Sequence, residues 1–364
     1  LKHVVAALAL LAFCGCGDEG AREECVVDDG TGPATLLDGP LCRYLSSYRL
    51  FDDIPSQTAA ADLIPYDLNT PLFSDYTDKL RWMWLPGGPL AWSDAESFAA
   101  PAGTTIVKTF AMPNDRRDPG AGTRLLETRV LVVRADGWEG ASYVHDPETG
   151  DAELTSGART IDVSWIHDDG AARDNAYVVP SKNQCKNCHE EHLEVMSSIG
   201  PKARHLNRPG PGAAGVANQL QDLIDRGLLA GAPDPSLWPR APNAADPATG
   251  TVEERARAWL DINCAHCHNP TGPADTSGLD LSLGQTDPFQ LGVCKPPVAA
   301  GQGSGGRSWG IVPGDPDASI LVYRIESIEA DIKMPELGRN LIDDGGVALV
   351  REWITGMTLP ACSN

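Results

Sequence analysis

The sequence predicts a multidomain protein: a mostly-β N-terminal domain, antiparallel and sandwich-like, followed by an all-α C-terminal domain. Three observations predict it. Short alternating strands and turn residues fill the stretch from about 41 to 180. Helix-starting and helix-spacing signals concentrate after residue 251. A Cys-x-x-Cys-His pentapeptide occurs twice, once on each side of that change.

Taken in order, Lys2 and His3 precede an apolar run from Val4 to Phe13, then Cys14 and Cys16. Ten apolar residues are too few to span a bilayer and suit an export signal. Residues 1–16 are therefore expected to be a lipoprotein-type signal segment, with Cys16, behind the small Gly15, preferred over Cys14 as the lipidated residue. An ordinary secretory signal is the alternative. Residues 17–40 are acidic and Gly-rich, which predicts a flexible tether.

Residues 41–180 carry the β signals. Ile106 to Phe110 forms a short strand, and Thr123 to Arg134 is rich in Leu and Val. Thr160 to Ile166 alternates apolar with polar, while Asp136-Gly137 and Thr149-Gly150-Asp151 are hairpin turns. Residues 181–250 read as a linker that bears the first pentapeptide and one amphipathic helix, with Val216, Leu220, Leu223, Ile224 and Leu228 on one face. In 251–364, Thr251 and Glu254 make a capping box. A short helix spans 319–325, and a closing helix near 346–355 places Val347, Val350, Trp353 and Ile354 on one side.

The pentapeptides, Cys185-Lys186-Asn187-Cys188-His189 and Cys264-Ala265-His266-Cys267-His268, define the expected chemistry. Two thiols one helical turn apart reach the two vinyl groups of one porphyrin, and the next residue sets an imidazole beneath the iron. Cys185, Cys188, Cys264 and Cys267 are expected to hold two covalent haem c groups, with His189 and His268 on the irons. Zinc has no use for a His directly after each second Cys. Met334, before Pro335, is the expected distal ligand of the second iron, giving the raised potential of a Met/His pair. At the first iron, His205 is the leading distal candidate. His145, His167, His192 and Met196 are weaker ones, and an open face is a further possibility.

Ten cysteines less four in the pentapeptides and two at the signal leave Cys25, Cys42, Cys294 and Cys362. Three pairings are open; Cys25–Cys42 and Cys294–Cys362 close the most local loops. A formal net charge of −21 disfavours nucleic acid and anionic membrane as partners. No nucleophile elbow, phosphate loop or HExxH motif is present.

Asn263 to Pro270, Val312-Pro313-Gly314-Asp315-Pro316, Ser319-Ile320-Leu321 and Lys333-Met334-Pro335 resemble a class I cytochrome c domain, which the resemblance places at 251–364. That implies packing of Trp259 or Leu260 on Trp353, and Arg307 or Trp309 near haem propionates. Tyr66 to Tyr76, Gly103-Thr104 with Val107 to Phe110, the first pentapeptide, and Gly200 to Arg204 resemble a family of exported bacterial dihaem c-type cytochromes, over most of 41–360. The resemblance implies architecture and haem count.

The resulting expectation is electron transfer through two haems, with a periplasmic or outer-membrane redox partner. The localisation is periplasmic or outer-membrane-anchored, and the membrane is met only through a lipid anchor. One alternative is a dihaem oxidoreductase or peroxidase-like enzyme with an open first haem. The other is a β-domain binding module for an unknown substrate, with haems that report redox state.

Overall fold

The computed structural model describes Cys25, Gly30, 32–34, 39–94, 96–192, 195–211, Gly215, 217–298 and 300–363. The expected signal segment and the lipidated cysteine lie outside the described residues, as does most of the expected tether.

The strands come first. They are β1 (Phe51–Asp53), β2 (Thr58–Ala59), β3 (Ile64–Pro65), β4 (Asp78–Trp84), β5 (Leu90–Ala91), β6 (Thr105–Pro113), β7 (Thr123–Arg134), β8 (Gly137–Asp146), β9 (Asp151–Thr155), β10 (Arg159–Ile166) and β11 (Ala172–Val179). After them come α1 (Lys182–His189), β12 (Glu190–His192), β13 (Val195–Met196), α2 (Ala203–Leu206), α3 (Gln219–Asp225) and β14 (Leu229–Ala230). The C-terminal region holds α4 (Val252–Asn263), α5 (Ile320–Ile325) and α6 (Asp344–Thr355).

One antiparallel sheet dominates, in the order β3-β4-β6-β7-β8-β9. The expected turns close two of its hairpins: Gly137 at φ 120° enters β8, and Gly150 at φ 72° precedes β9. Both angles favour a residue without Cβ. Directly paired residues share a face. Val107, Trp82 and Val130 therefore point together into a core closed by Leu45, Tyr48, Leu50 and Phe51. The opposite face bears Ile106 with Met83, and packs against α2, α3 and the end of α4 through Leu206, Leu220, Leu223 and Ile262.

The fold differs from expectation in two ways. No second large sheet completes a sandwich. β10 and β11 form a separate two-stranded hairpin that lays Val163, Trp165, Tyr177 and Val179 against Phe110, Met112 and Leu126. Nor is the C-terminal region all-α: the chain is mostly β with six short helices among the described residues. Between α4 and α5 the backbone runs through turns, short 3-10 segments and the bridges Val293↔Ile311 and Trp309↔Ser319. That stretch is rich in Gly and Pro, which interrupt the i→i−4 bonding a helix needs.

The three helices there form where their caps permit. Thr251 and Glu254 bond reciprocally to start α4, and Asp343 caps α6 at the Gly346 amide, 3.0 Å. Trp259, Leu260 and Trp353 share one core, as the resemblance implied. A Cβ on Gly346 would sit 2.2 Å from Trp259 Nε1, so α6 meets α4 at a position only glycine fills. Disulfides join Cys25 to Cys42 and Cys294 to Cys362.

The β region is also stitched directly to the C-terminal region. Asp75 accepts from the amides of Asn340 and Leu341 at 2.7 and 2.8 Å, and Asn263 Oδ1 accepts from the Phe73 amide at 2.8 Å.

Candidate functional site

The two pentapeptides reach their positions by different local routes. Helix α1 carries Cys185, Cys188 and His189, spaced i, i+3 and i+4, on one face. The second pentapeptide is a turn at the end of α4: Cys264 caps that helix, and the His268 amide donates to Cys264 O at 2.9 Å. Each imidazole is held through one nitrogen. His189 Nδ1 bonds Ser197 O at 2.8 Å, and His268 Nδ1 bonds Ser277 Oγ at 3.1 Å, which leaves both Nε2 atoms available. Burial pushes both imidazoles down to about 4, so both are neutral near pH 7.

The pentapeptides face one another. Cys267 Sγ lies 3.7 Å from Asn187 O, and Cys188 and Cys267 share a hydrogen bond. That bond lets the pair lose one thiol proton easily and resist losing the second. Cys264, buried in an apolar setting, has its thiol raised to about 12.

A cavity of about 500 Å³ opens beside the second pentapeptide, within the usual size of cofactor sites. Cys264, Cys267 and His268 border it on one side and Met334 on another, with Leu279, Leu281, Leu321 and Ile325 between. The Met334 loop is fixed by a residue that sequence reading did not single out. Arg339 is buried and donates to Met334 O at 3.0 and 2.7 Å, to Ser327 O at 2.9 Å and to Leu341 O at 3.0 Å. Its only sequence signal is a cation a few residues after the Met-Pro pair. The expected propionate contacts are not there: Arg307 lies over the Tyr323 ring and, like Trp309, is absent from the wall of this cavity, where Lys295 and Arg324 stand instead.

Two smaller spaces, of about 80 and 90 Å³, adjoin the first pentapeptide. Both are walled by Cys185, His189, Lys108 and Arg129. The first also shares Cys188, His266, Met334 and Pro335 with the large cavity, so a run of adjoining space links sheet, α1 and the Met334 loop.

His205 is not among the residues that wall any of these spaces. It is buried and bonds Asp261 Oδ2 at 2.9 Å, beside the Arg204 guanidinium, which bonds the same carboxylate at 2.8 and 2.9 Å. Its expected place as distal ligand is thus taken by a structural network on α4. His145 is likewise engaged by Thr128 at 2.8 Å, and His167 accepts from Trp165 at 3.3 Å. The side chain of His192 lies outside the described residues. Met196 lies on β13 rather than on the His189 helix, and borders the 90 Å³ space.

The expectation of a metal-binding cluster is corrected. Among the described residues no group of three or more His, Cys, Asp and Glu is placed to hold a metal ion. Each pentapeptide lines a slot instead of converging with further donors on one point, which excludes the zinc-type arrangement. What the residues do offer is a donor set that fits a covalent porphyrin: two unpaired thiols, one neutral imidazole with a free Nε2 and an adjoining apolar space. No protein-family model, no curated protein and no solved structure matches the chain.

Proposed function

We propose that the chain is an exported dihaem c-type electron-transfer protein. The single observation that carries this reading is the apposition of the two pentapeptides, with Cys267 Sγ 3.7 Å from Asn187 O, beside a cavity bounded by His268 and Met334. Bound haem c supplies a one-electron iron couple. Cys185 and Cys188 would carry one group, Cys264 and Cys267 the other, so the two thioether-bearing edges would adjoin. Ser197 and Ser277 orient the proximal imidazoles. Arg339 holds the thioether of Met334 at the second site, and the apolar wall excludes water, which favours the reduced, less charged iron. A lipid anchor at Cys16 and a periplasmic or outer-membrane redox partner complete the reading. Among the described residues no helix is long and apolar enough to cross a membrane.

The test is mass spectrometry and a pyridine haemochrome assay on protein made with haem-maturation machinery. Two covalent haems per chain are expected. One would remove the first site, and none would end the proposal.

A second reading has its own observation. His145, His167 and His205 are all engaged elsewhere, which leaves the face opposite His189 without any of the three. A first haem open on that face would suit a dihaem oxidoreductase. A high-spin ferric resonance that shifts with cyanide would favour this enzyme; two low-spin signals favour simple electron transfer.

A further inference from the structure

Arg81, Lys108 and Arg129 lie directly opposite one another on β4, β6 and β7. They form a cationic row across three adjacent strands, on the face that α1 covers. Like charges so placed repel. The two outer members have carboxylate partners: Arg81 bonds Asp67 at 3.0 Å, and Arg129 makes a fork with Glu127 at 2.9 and 2.6 Å. Lys108, in the middle, has neither an acceptor nor a carboxylate within bonding distance among the described residues. Its ammonium contact is the Phe110 ring, 5.0 Å away and shared with Arg129 at 4.3 Å.

An ammonium in this position is costly unless an anion meets it. Burial first, then Arg129 and Arg81, hold the Lys108 amine down to about 7. The space it borders is also bordered by Cys185 and His189. Helix α1, which carries that pentapeptide, has no buried side chain of its own to fill the gap over the row.

Resting on the dihaem reading, we propose that the β-sheet forms one wall of the first haem site and that Lys108, flanked by Arg129 and Arg81, receives the propionate carboxylates of that haem. The sheet is then part of the cofactor site, and the surplus cation on β6 is neutralised by the group the pentapeptide binds. A cation at the propionates disfavours the ferric form, so it raises the potential of the first haem and leaves the second, walled by Lys295 and Arg324, unaffected.

The test compares the holoprotein with Lys108→Met, Lys108→Gln and Lys108→Arg, each first checked by mass spectrometry for covalent porphyrin. Redox titration followed by optical absorption should show one potential falling by about 59 mV in the Met and Gln variants, a tenfold change in a one-electron equilibrium. The Arg variant should stay near wild type, and ferric spin state should be unchanged throughout. The Gln variant keeps a polar side chain and serves where Met prevents folding. Two attached haems with unshifted potentials in either neutral variant would overturn the proposal. So would conversion of one haem to high spin, which would make Lys108 an iron ligand. Wild-type protein with no porphyrin adduct would overturn the dihaem reading beneath it, a result told apart at the first step.

Discussion

His205 and Met334 had the same standing as ligand candidates in the sequence, and the residues around them separate them. Met334 is presented to a cavity by the Arg339 clamp, whereas His205 is locked to Asp261 with Arg204. Met334→Ala should convert the second haem to high spin and lower its potential, read by electron paramagnetic resonance and redox titration. Asp261 has a structural role. Burial pushes its carboxyl up, and His205 and Arg204 more than reverse this, holding it well below the usual carboxylate range. Asp261→Asn should destabilise the fold by about 3–5 kcal/mol near neutral pH, measured by urea unfolding. Because the folded carboxyl is the more acidic one, its contribution is complete above the unfolded value near 4 and fades as pH falls below it. The gap between wild type and variant should therefore narrow in acid, and a constant gap would refute the assignment.

Among the elements, α4 carries most of the burden of placing the second pentapeptide. Its start was legible: Thr251 and Glu254 form the capping box that their spacing announces. Thr251→Ala should lower stability by about 1 kcal/mol in thermal or denaturant unfolding. Its partner surface was not legible, because a glycine in a sequence does not announce a close approach. Gly346→Ala should cost about 1–3 kcal/mol by forcing α6 off Trp259, in the same measurements. A variant as stable as wild type would mean that the Trp259 ring yields. The strands show the same division. Alternation and turn glycines marked β7 to β10, but nothing local says that β10 and β11 leave the main sheet to pair with each other.

For the whole molecule, the β region and the pentapeptides form one assembly. Asp75 and Phe73 reach across to Asn340, Leu341 and Asn263, and the sheet face opens toward α1. If both haems attach, their adjoining edges should make the two irons interact. Reducing one should lower the potential of the other, seen in a redox titration as two steps farther apart than in the single-haem variant Cys185→Ser with Cys188→Ser. Identical separate potentials would argue against the close placement.

The sequence by itself determined the pentapeptides, the pairing of the four remaining cysteines in local loops, the turn glycines and the caps of α4 and α6. Each depends on a few neighbouring residues and short-range sterics or bonding. Only the tertiary structure decided that His205 belongs to Asp261, that Arg339 clamps Met334, that the two pentapeptides touch, and that Lys108 faces one of them. Those outcomes depend on residues dozens to hundreds of positions apart meeting at one place, and on burial, which turns an ordinary cation or carboxylate into a group that must find a partner.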